Sequence, residues 1–474
     1  MANQKLVAGV DSSTQSCKVV IRNAVTGELV RQARAPHPDG TEVNPKHWIS
    51  ALNAALADAG GITDVSAISI GGQQHGMVAL DDSGEVIRDA LLWNDTRSAD
   101  AAESLNLEIG GPAEMAAKVG SRLVAAFTAS KLRWLSEHEP ESAARISGIA
   151  LPHDWLSWQL QFNTNEVKDF QKLFTDRSEA SGTGYFDPST SEYRREILSL
   201  ALGSDREINL PKIISPARFG GSTPSGVQIA PGAGDNAAAA LGVQAEPGDV
   251  VVSLGTSGTA FAVSDTPTHD ASGEVAGFAD ATGRYLPLVC TLNAARILDA
   301  ATNILGKSHA EVSALALSAK AGANGLTLLP YFEGERTPNR PSATGVFSGM
   351  NLANSNPSDI ARAMVEGMLC AMVDAVQALE KLGVEVKRII LIGGAAKNPA
   401  VSQIAAALFG REILVPAPGE YVANGAARQA AWALLGSESA PIWDLGTIEK
   451  INAKPTPEVV NNYRELRDRT ESWN

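Results

Sequence analysis

An α/β protein built from two similar halves is what the sequence predicts, and three observations lead there. A strand, a hydroxyl-rich turn and a second strand open the chain. The same arrangement returns after residue 245. Between and after them, apolar strands alternate with segments of helical periodicity, the pattern of an α/β architecture.

The opening pair is VAGVDSSTQSCKVVI, followed by a turn at 25–28 and a third apolar segment, LVRQARA. Apolar runs bounded by Gly, Asn, Ser and Thr read as an antiparallel meander. A helix over 45–59 follows. Asn44 is its cap, and Trp48, Leu52, Ala55 and Leu56 recur on one face. VSAISIGGQQHG then reads as a strand running into a glycine-bearing loop. In the second half, VVSLGTSGTAFAV repeats the strand, turn and strand of the first. A long helix is expected over 358–382, with Ile360, Met364, Met368, Ala371, Ala375 and Leu379 on one stripe, Ser358 or Asp359 as its cap and Gly383 at its end. RIILIGGAAKNP is a buried strand entering a glycine turn and another helix. The boundary falls near 240–249, giving an N-terminal domain over 1–240 and a C-terminal domain over 241–474. Its end, from about Ser437, is rich in proline and charge and reads as peripheral.

With 44% hydrophobic and 19% charged residues, the chain has the composition of a folded globular protein. A formal net charge of -14 argues against coating nucleic acid or an anionic membrane. Cys17, Cys290 and Cys370 are too few and too scattered for a disulfide framework or a zinc site. The start, MANQKLVAGVDSS, has no charged leader with an apolar stretch behind it, and no apolar run is long enough to cross a bilayer. Cytoplasmic residence is the expectation.

Five stretches can carry chemistry. Phosphate transfer needs inward-pointing backbone N–H groups, a carboxylate for a metal ion, and a positioned nucleophile. Asp11-Ser12-Ser13-Thr14 puts a carboxylate and small hydroxyls at the mouth of a strand, fit for a hydrated magnesium ion, or simply for an Asx-turn. Leu254-Gly255-Thr256-Ser257-Gly258 offers bare backbone and hydroxyls, as a hairpin turn also would. Gly393-Gly394-Ala395-Ala396-Lys397-Asn398 is a strand-to-helix junction against which a nucleotide could lie. Gly232-Ala233-Gly234-Asp235-Asn236 places a carboxylate at a helix start, as a ligand-facing acid or a cap. Gln73-Gln74-His75-Gly76 and Trp93-Asn94-Asp95-Thr96-Arg97 bring the amides, imidazole, indole and charges that suit a polyhydroxyl ligand. Gly306-Lys307-Ser308 imitates the end of a P-loop, but Ala301 stands where its first glycine belongs, and Gly306 reads as a helix end.

Over nearly its whole length the chain resembles the FGGY family of carbohydrate kinases. The resemblance is carried by GVDSSTQSCKVV, GGQQHGMVALD, LLWNDTR, SKLRWLSEHEP, LPHDWLSWQL, GAGDNAAAALG, VSLGTSGTAFAV, LLPYFEGERTPNRP, TGVFSGMN and LIGGAAKNP in this order, with Gly349, Asp359 and Glu366 in the second family signature. It implies two ribonuclease-H-like domains of the actin and hexokinase type, with ATP and sugar in an interdomain cleft. It further implies phosphorylation of D-xylulose to D-xylulose 5-phosphate, and a homodimer. Asp11 would orient magnesium-bound phosphates, with Asp235 as a second metal-facing carboxylate. Ser13, Thr14, Thr256, Gly394 and Asn398 would contact ATP. Gln74, His75, Asp235 and Asn236 would hold the sugar, and Asp235 would be the base. Two positions depart from the family pattern: Ser13 replaces a common glycine, and Gln74 a common methionine. The second keeps another pentulose or a polyol open as the substrate. An actin-like ATPase without a sugar substrate is the remote alternative.

Overall fold

The computed structural model describes residues 5–163 and 166–473. They form two compact units, one of residues 1–245, 265–286 and 419–444, the other of residues 246–264, 287–418 and 445–474.

The first unit is built on β1 (Leu6–Ser12), β2 (Ser16–Asn23), β3 (Leu29–Pro36) and β4 (Val65–Gly72). β1, β2 and β3 form the expected antiparallel meander, and β4 lies parallel to β1 on its other side. Both faces of this sheet are covered. On one, the helix Pro45–Asp58 buries Trp48, Ala51, Leu52, Ala55 and Leu56, and Asn44 caps it by accepting from Lys46 N–H at 3.0 Å. On the other lies the helix Tyr421–Leu435, whose Ala423, Ala427, Ala430 and Ala431 pack on Val7, Val20 and Ala67. Small residues are required there: a methyl on Gly9 would stand 2.0 Å from Ala423 O and 2.3 Å from Ala427 N.

The second unit repeats the plan. β5 (Asp249–Leu254), β6 (Gly258–Ala262) and β7 (Tyr285–Thr291) are antiparallel neighbours, and β8 (Arg388–Ile392) runs parallel to β5. The spatial order β8-β5-β6-β7 matches β4-β1-β2-β3, so the recurrence in sequence corresponds to a recurrence in topology. β9 (Ile413–Pro416) and β10 (Ile448–Ile451) extend the sheet beyond β8.

The long helix runs over Pro357–Lys381, one residue earlier than the periodicity suggests. Its cap is Asn356, whose side chain accepts from Asp359 N–H at 3.1 Å. Asp359 instead receives the Asn324 amide at 2.9 and 3.0 Å, and Glu366 pairs with Arg362 at 2.6 Å. The second family signature thus serves as internal bracing of this unit. The polar end of the chain also contributes to it: the helix Pro457–Arg469 buries Val459, Val460, Tyr463 and Leu466, and its Arg464 pairs with Asp374 at 2.7 Å. Gly306 ends a helix in the left-handed region at φ 61°, and Ser308 opens the next with a capping box to Glu311, which removes the P-loop reading. All three cysteines are buried and free. Among the described residues no helix is long and apolar enough to cross a membrane.

Candidate active site

In the first unit, register assembles the site. Ser12 stands beside Gly72 on β4, and Gly72 beside Gly234 on the short strand Ala233–Gly234. The three chains therefore leave the sheet at one edge, carrying Asp11 to Thr14, Gln73 to His75, and Asp235 with Asn236. Stretches more than 150 residues apart in sequence meet because parallel strands end together, the usual place for ligand chemistry in α/β sheets.

Asp11 is buried within β1. Ser13 Oγ donates to its Oδ1, and Lys18 Nζ lies 3.3 Å from its Oδ2 and 2.7 Å from Glu420. Burial raises the Asp11 carboxyl above the usual range, and Lys18 and Ser13 only partly offset this. Thr14 Oγ1 accepts from Trp93 Nε1 at 2.9 Å, tying the first turn to the WNDTR segment. Within that segment, Asp95 is buried and held by Arg97 at 2.8 Å and Thr41 at 2.9 Å.

Asp235 is the first residue of the helix Asp235–Gly242, and Gly234 occupies the cap position. Its Oδ1 accepts from Asn236 N at 2.7 Å and from Asn236 Nδ2 at 2.8 Å. No bond runs from it to the N–H groups one turn on, so it is not spent as a cap. Burial, and after it the charge of Asp11, pushes the Asp235 carboxyl up to about 7. A carboxylate poised near neutrality suits a general base.

His75 has φ 70°, a left-handed conformation that non-glycine residues rarely adopt and that clusters at functional sites. Several contacts hold it there. Its carbonyl accepts from Thr128 Oγ1 at 3.2 Å and Lys131 Nζ at 3.3 Å. Its Nδ1 donates to Gly182 O at 2.7 Å, which fixes the orientation of the ring. Phe127 and Phe278 pack on the ring at 5.0 and 5.6 Å between centroids. Gln74 is buried and donates Nε2 to Ser178 O at 2.8 Å. Gln73 is buried with neither amide atom hydrogen-bonded among the described residues.

The segment 174–184, FTDRSEASGTG, is the part of the site that sequence reasoning missed. Asp176 caps the short helix Arg177–Ser181, receiving Ser178 N at 2.9 Å and Glu179 N at 3.0 Å. The signal was present, since Asp followed three residues later by Glu is the spacing of a helix start. Glu179 is fully buried with both oxygens unpartnered among the described residues. Burial first, then Asp154, Asp176 and Asp235, hold its carboxyl well above the usual range. His153 lies between Asp154 and Asp176, 3.4 Å from each.

In the second unit, the candidate phosphate turns also meet. A methyl on Gly393 would stand 2.5 Å from Leu254 O, so only glycine, here at φ 94°, lets this loop cross the end of β5. Thr256 on the 254–258 turn is exposed. Gly394 is exposed as well, with nothing within 4 Å of the position a side chain would take, so its backbone is open to a ligand. Asn398 caps the helix Pro399–Phe409: its Oδ1 accepts from Ala400 N at 2.9 Å and from Ser313 Oγ at 2.7 Å. The amide nitrogen of Asn398 makes no hydrogen bond among the described residues. Beside these turns, Ala295 N donates to Gly255 O at 2.9 Å, and the buried Glu335 accepts from Leu292 N at 2.7 Å and Asn293 Nδ2 at 3.0 Å.

Residues 6–242 match the FGGY family of carbohydrate kinases, N-terminal domain, and residues 250–434 match its C-terminal domain. A xylulose kinase of Streptomyces coelicolor is 40% identical over 455 residues, covering 93% of this chain and 90% of the relative. The xylulose kinase of Streptomyces rubiginosus is 39% identical, over 99% of this chain and 95% of its own. Among solved structures, the xylulose kinase from Bifidobacterium adolescentis is 47% identical and superposes with a TM-score of 0.90, covering 98% of this chain and 99% of that one.

Proposed function

This chain belongs to the FGGY family of carbohydrate kinases, and we propose that within it the protein transfers phosphate from ATP to D-xylulose, giving D-xylulose 5-phosphate and ADP. One observation carries the catalytic part of this reading: Asp235, at the start of its helix beside Asp11, has a carboxyl raised to about 7 and makes no capping bond. The choice of sugar rests on the relatives, which are named xylulose kinases.

An alcohol is a poor nucleophile until a base within hydrogen-bond reach accepts its proton. Asp235 takes the proton of the attacking hydroxyl, and the oxygen then bonds to the terminal phosphorus of ATP as the bond to ADP breaks. Asn236, by holding Asp235 Oδ1 with two bonds, leaves Oδ2 as the oxygen that receives the proton. His75 and Gln74 hold other hydroxyls of the sugar. The strain at His75 is maintained by Thr128, Lys131 and Gly182, so the ring is oriented before the sugar arrives.

Ser13, Thr14, Thr256, Gly394 and Asn398 are assigned to ATP. The two units divide this work, the first (1–245, 265–286 and 419–444) taking the sugar and the first phosphate turn, the second the nucleotide. Asp11 and Asp235 fit a magnesium ion: both carboxyls are raised by burial, Asp235 further by the charge of Asp11, and a divalent cation relieves such carboxylates, which with water are its preferred ligands. When bound, the ion would neutralise charge on the phosphates. Cytoplasmic residence accompanies this reading.

The test is ADP release with magnesium-ATP across D-xylulose, other pentuloses, pentoses and polyols, beside a control without sugar. Stimulation by D-xylulose above the rest is expected. Preference for another sugar would overturn the substrate, and equal turnover without sugar would overturn the kinase reading.

A further inference from the structure

If Asp235 is the base, something must hold it where a sugar hydroxyl can reach it, and the hydrogen bonds around Gly234 point to one residue. Gly234 N–H donates to Ser178 Oγ at 3.0 Å. The Ser178 hydroxyl has one hydrogen, and it is given to Asp176 Oδ2 at 2.6 Å. That oxygen also receives Ser178 N–H at 2.9 Å. The hydroxyl is thus fixed in both directions, as donor to a helix-capping carboxylate and as acceptor for the residue before the base. Ser178 is fully buried and Asp176 nearly so, which strengthens both bonds.

The other polar atom of Ser178 faces the candidate sugar site. Its carbonyl accepts from Gln74 Nε2 at 2.8 Å. A carbonyl can only accept, so the NH2 end of the Gln74 amide is committed to Ser178. Oε1 is then the amide atom with no hydrogen bond among the described residues. The amide also touches the turn directly: a methyl on Gly234 would lie 2.7 Å from Gln74 Cγ, Cδ and Nε2. Gly234 itself is placed against Gly72 by strand pairing, two residues before Gln74. Gln74, Ser178 and the Gly234–Asp235 turn form a three-cornered contact in which every polar bond passes through Ser178.

We propose that Ser178 is a positioning residue for the reaction, clamping the Gln74 amide and the Gly234–Asp235 turn to each other so that Gln74 Oε1 accepts one hydroxyl of a polyhydroxyl substrate while Asp235 meets the reacting one. The inference rests on the assignment of Asp235 as base. It gives Gln74 two duties, one toward the ligand and one toward the base. It also assigns Gln74 the role of acceptor, so the substrate class is one with a hydroxyl at that position rather than a deoxy sugar.

Three variants test it, each assayed for kcat and KM with D-xylulose, for ATP binding without sugar, and for thermal unfolding. Ser178→Ala removes the acceptor of Gly234 N–H with little change of volume. It should lower kcat about tenfold to a hundredfold, the scale of a misplacement near 1 Å, while ATP binding is kept. Gln74→Met keeps the shape and removes the amide; kcat should fall and KM rise together. Asp235→Asn runs beside them: normal turnover there would sink the base assignment itself. If Asp235→Asn is inactive while Ser178→Ala keeps the parent kcat, the clamp is overturned. A Gln74→Met enzyme with raised KM and unchanged kcat overturns it as well, because Gln74 is then a sugar contact alone. Should Ser178→Ala not fold, the Gln74→Met result decides.

Discussion

Replacing Asp235 by asparagine should make the protein more stable and nearly inactive at once. The carboxyl is raised from 3.8 to about 7, by burial and then by Asp11. The folded state therefore holds this proton more tightly than the unfolded chain does. As pH rises from about 4 to 7, ionising Asp235 costs the fold progressively, and above 7 the whole cost is present. At roughly 1.4 kcal/mol per unit of pKa, a shift of about three units sets a ceiling near 4 kcal/mol. Asp235 keeps part of its surface open to solvent, which screens the charge, so about 2 kcal/mol is the working figure. Asparagine retains an oxygen for both Asn236 bonds, which leaves the local geometry in place.

The expected gain at pH 8 corresponds to about 3 °C in Tm for a unit of this size. It should shrink steadily toward pH 5. Calorimetry without nucleotide or metal measures it, and a coupled ADP assay should show kcat reduced by about 10²–10⁴, the usual worth of a general base. A variant no more stable than the parent at pH 8 would refute the claim that the fold resists ionisation of Asp235. Retained turnover would refute its role as base.

Three further outcomes follow from the same geometry. Because the base must be ionised, kcat/KM should rise with pH and reach half its maximum near pH 7; an acid limb near 4 would contradict the raised carboxyl. Gly425→Ala places a methyl 1.8 Å from Ala238 O and 2.9 Å from Gly242 N, backbone atoms that no rotamer change can move. The helix-propensity gain of about 1 kcal/mol is outweighed by overpacking of about 1–3 kcal/mol or more, and kcat should drop because the displaced helix begins at Asp235. A melting point at or above that of the parent would show that the two helices can separate at little cost. Asn398→Ala removes a helix cap worth about 1 kcal/mol and should raise KM for ATP while KM for the sugar stays put; the reverse pattern, read from steady-state kinetics, would take Asn398 out of the nucleotide site.

Much of the candidate site was legible because short-range chemistry dictates it. Asp11, Gln74, His75 and Asp235 each sit where a strand ends in small or glycine residues, and that local pattern survives in the sequence. Gly393 and Gly394 were legible for the same reason, yet their duties differ: the first crosses Leu254, and the second leaves open space. Asn398 was read as a nucleotide contact, and its oxygen turns out to be engaged in capping a helix. The Trp93–Arg97 run looked like sugar chemistry, whereas Asp95 and Arg97 mostly satisfy one another. Asp176 carried the spacing of a helix start, whereas Ser178 escaped notice because a serine in a short helix carries no periodic or motif signal. Its importance arises from Gly234 and Gln74, 56 and 104 positions away in sequence.

By itself, then, the sequence determined the strands, the long helices and the repeated hairpin plan, since apolar periodicity and turn residues act within a few positions. It also picked out side chains whose chemistry suits phosphate transfer. Tertiary structure alone decided that the helix Tyr421–Leu435 covers the first sheet, where only alanine and glycine allow backbones so close. It alone brought Asp11 near enough to Asp235 to raise its proton affinity, and turned the Gln74 amide toward Ser178. Burial and electrostatic coupling depend on distances through space, and parallel strand register, which local sequence does not encode, sets those distances.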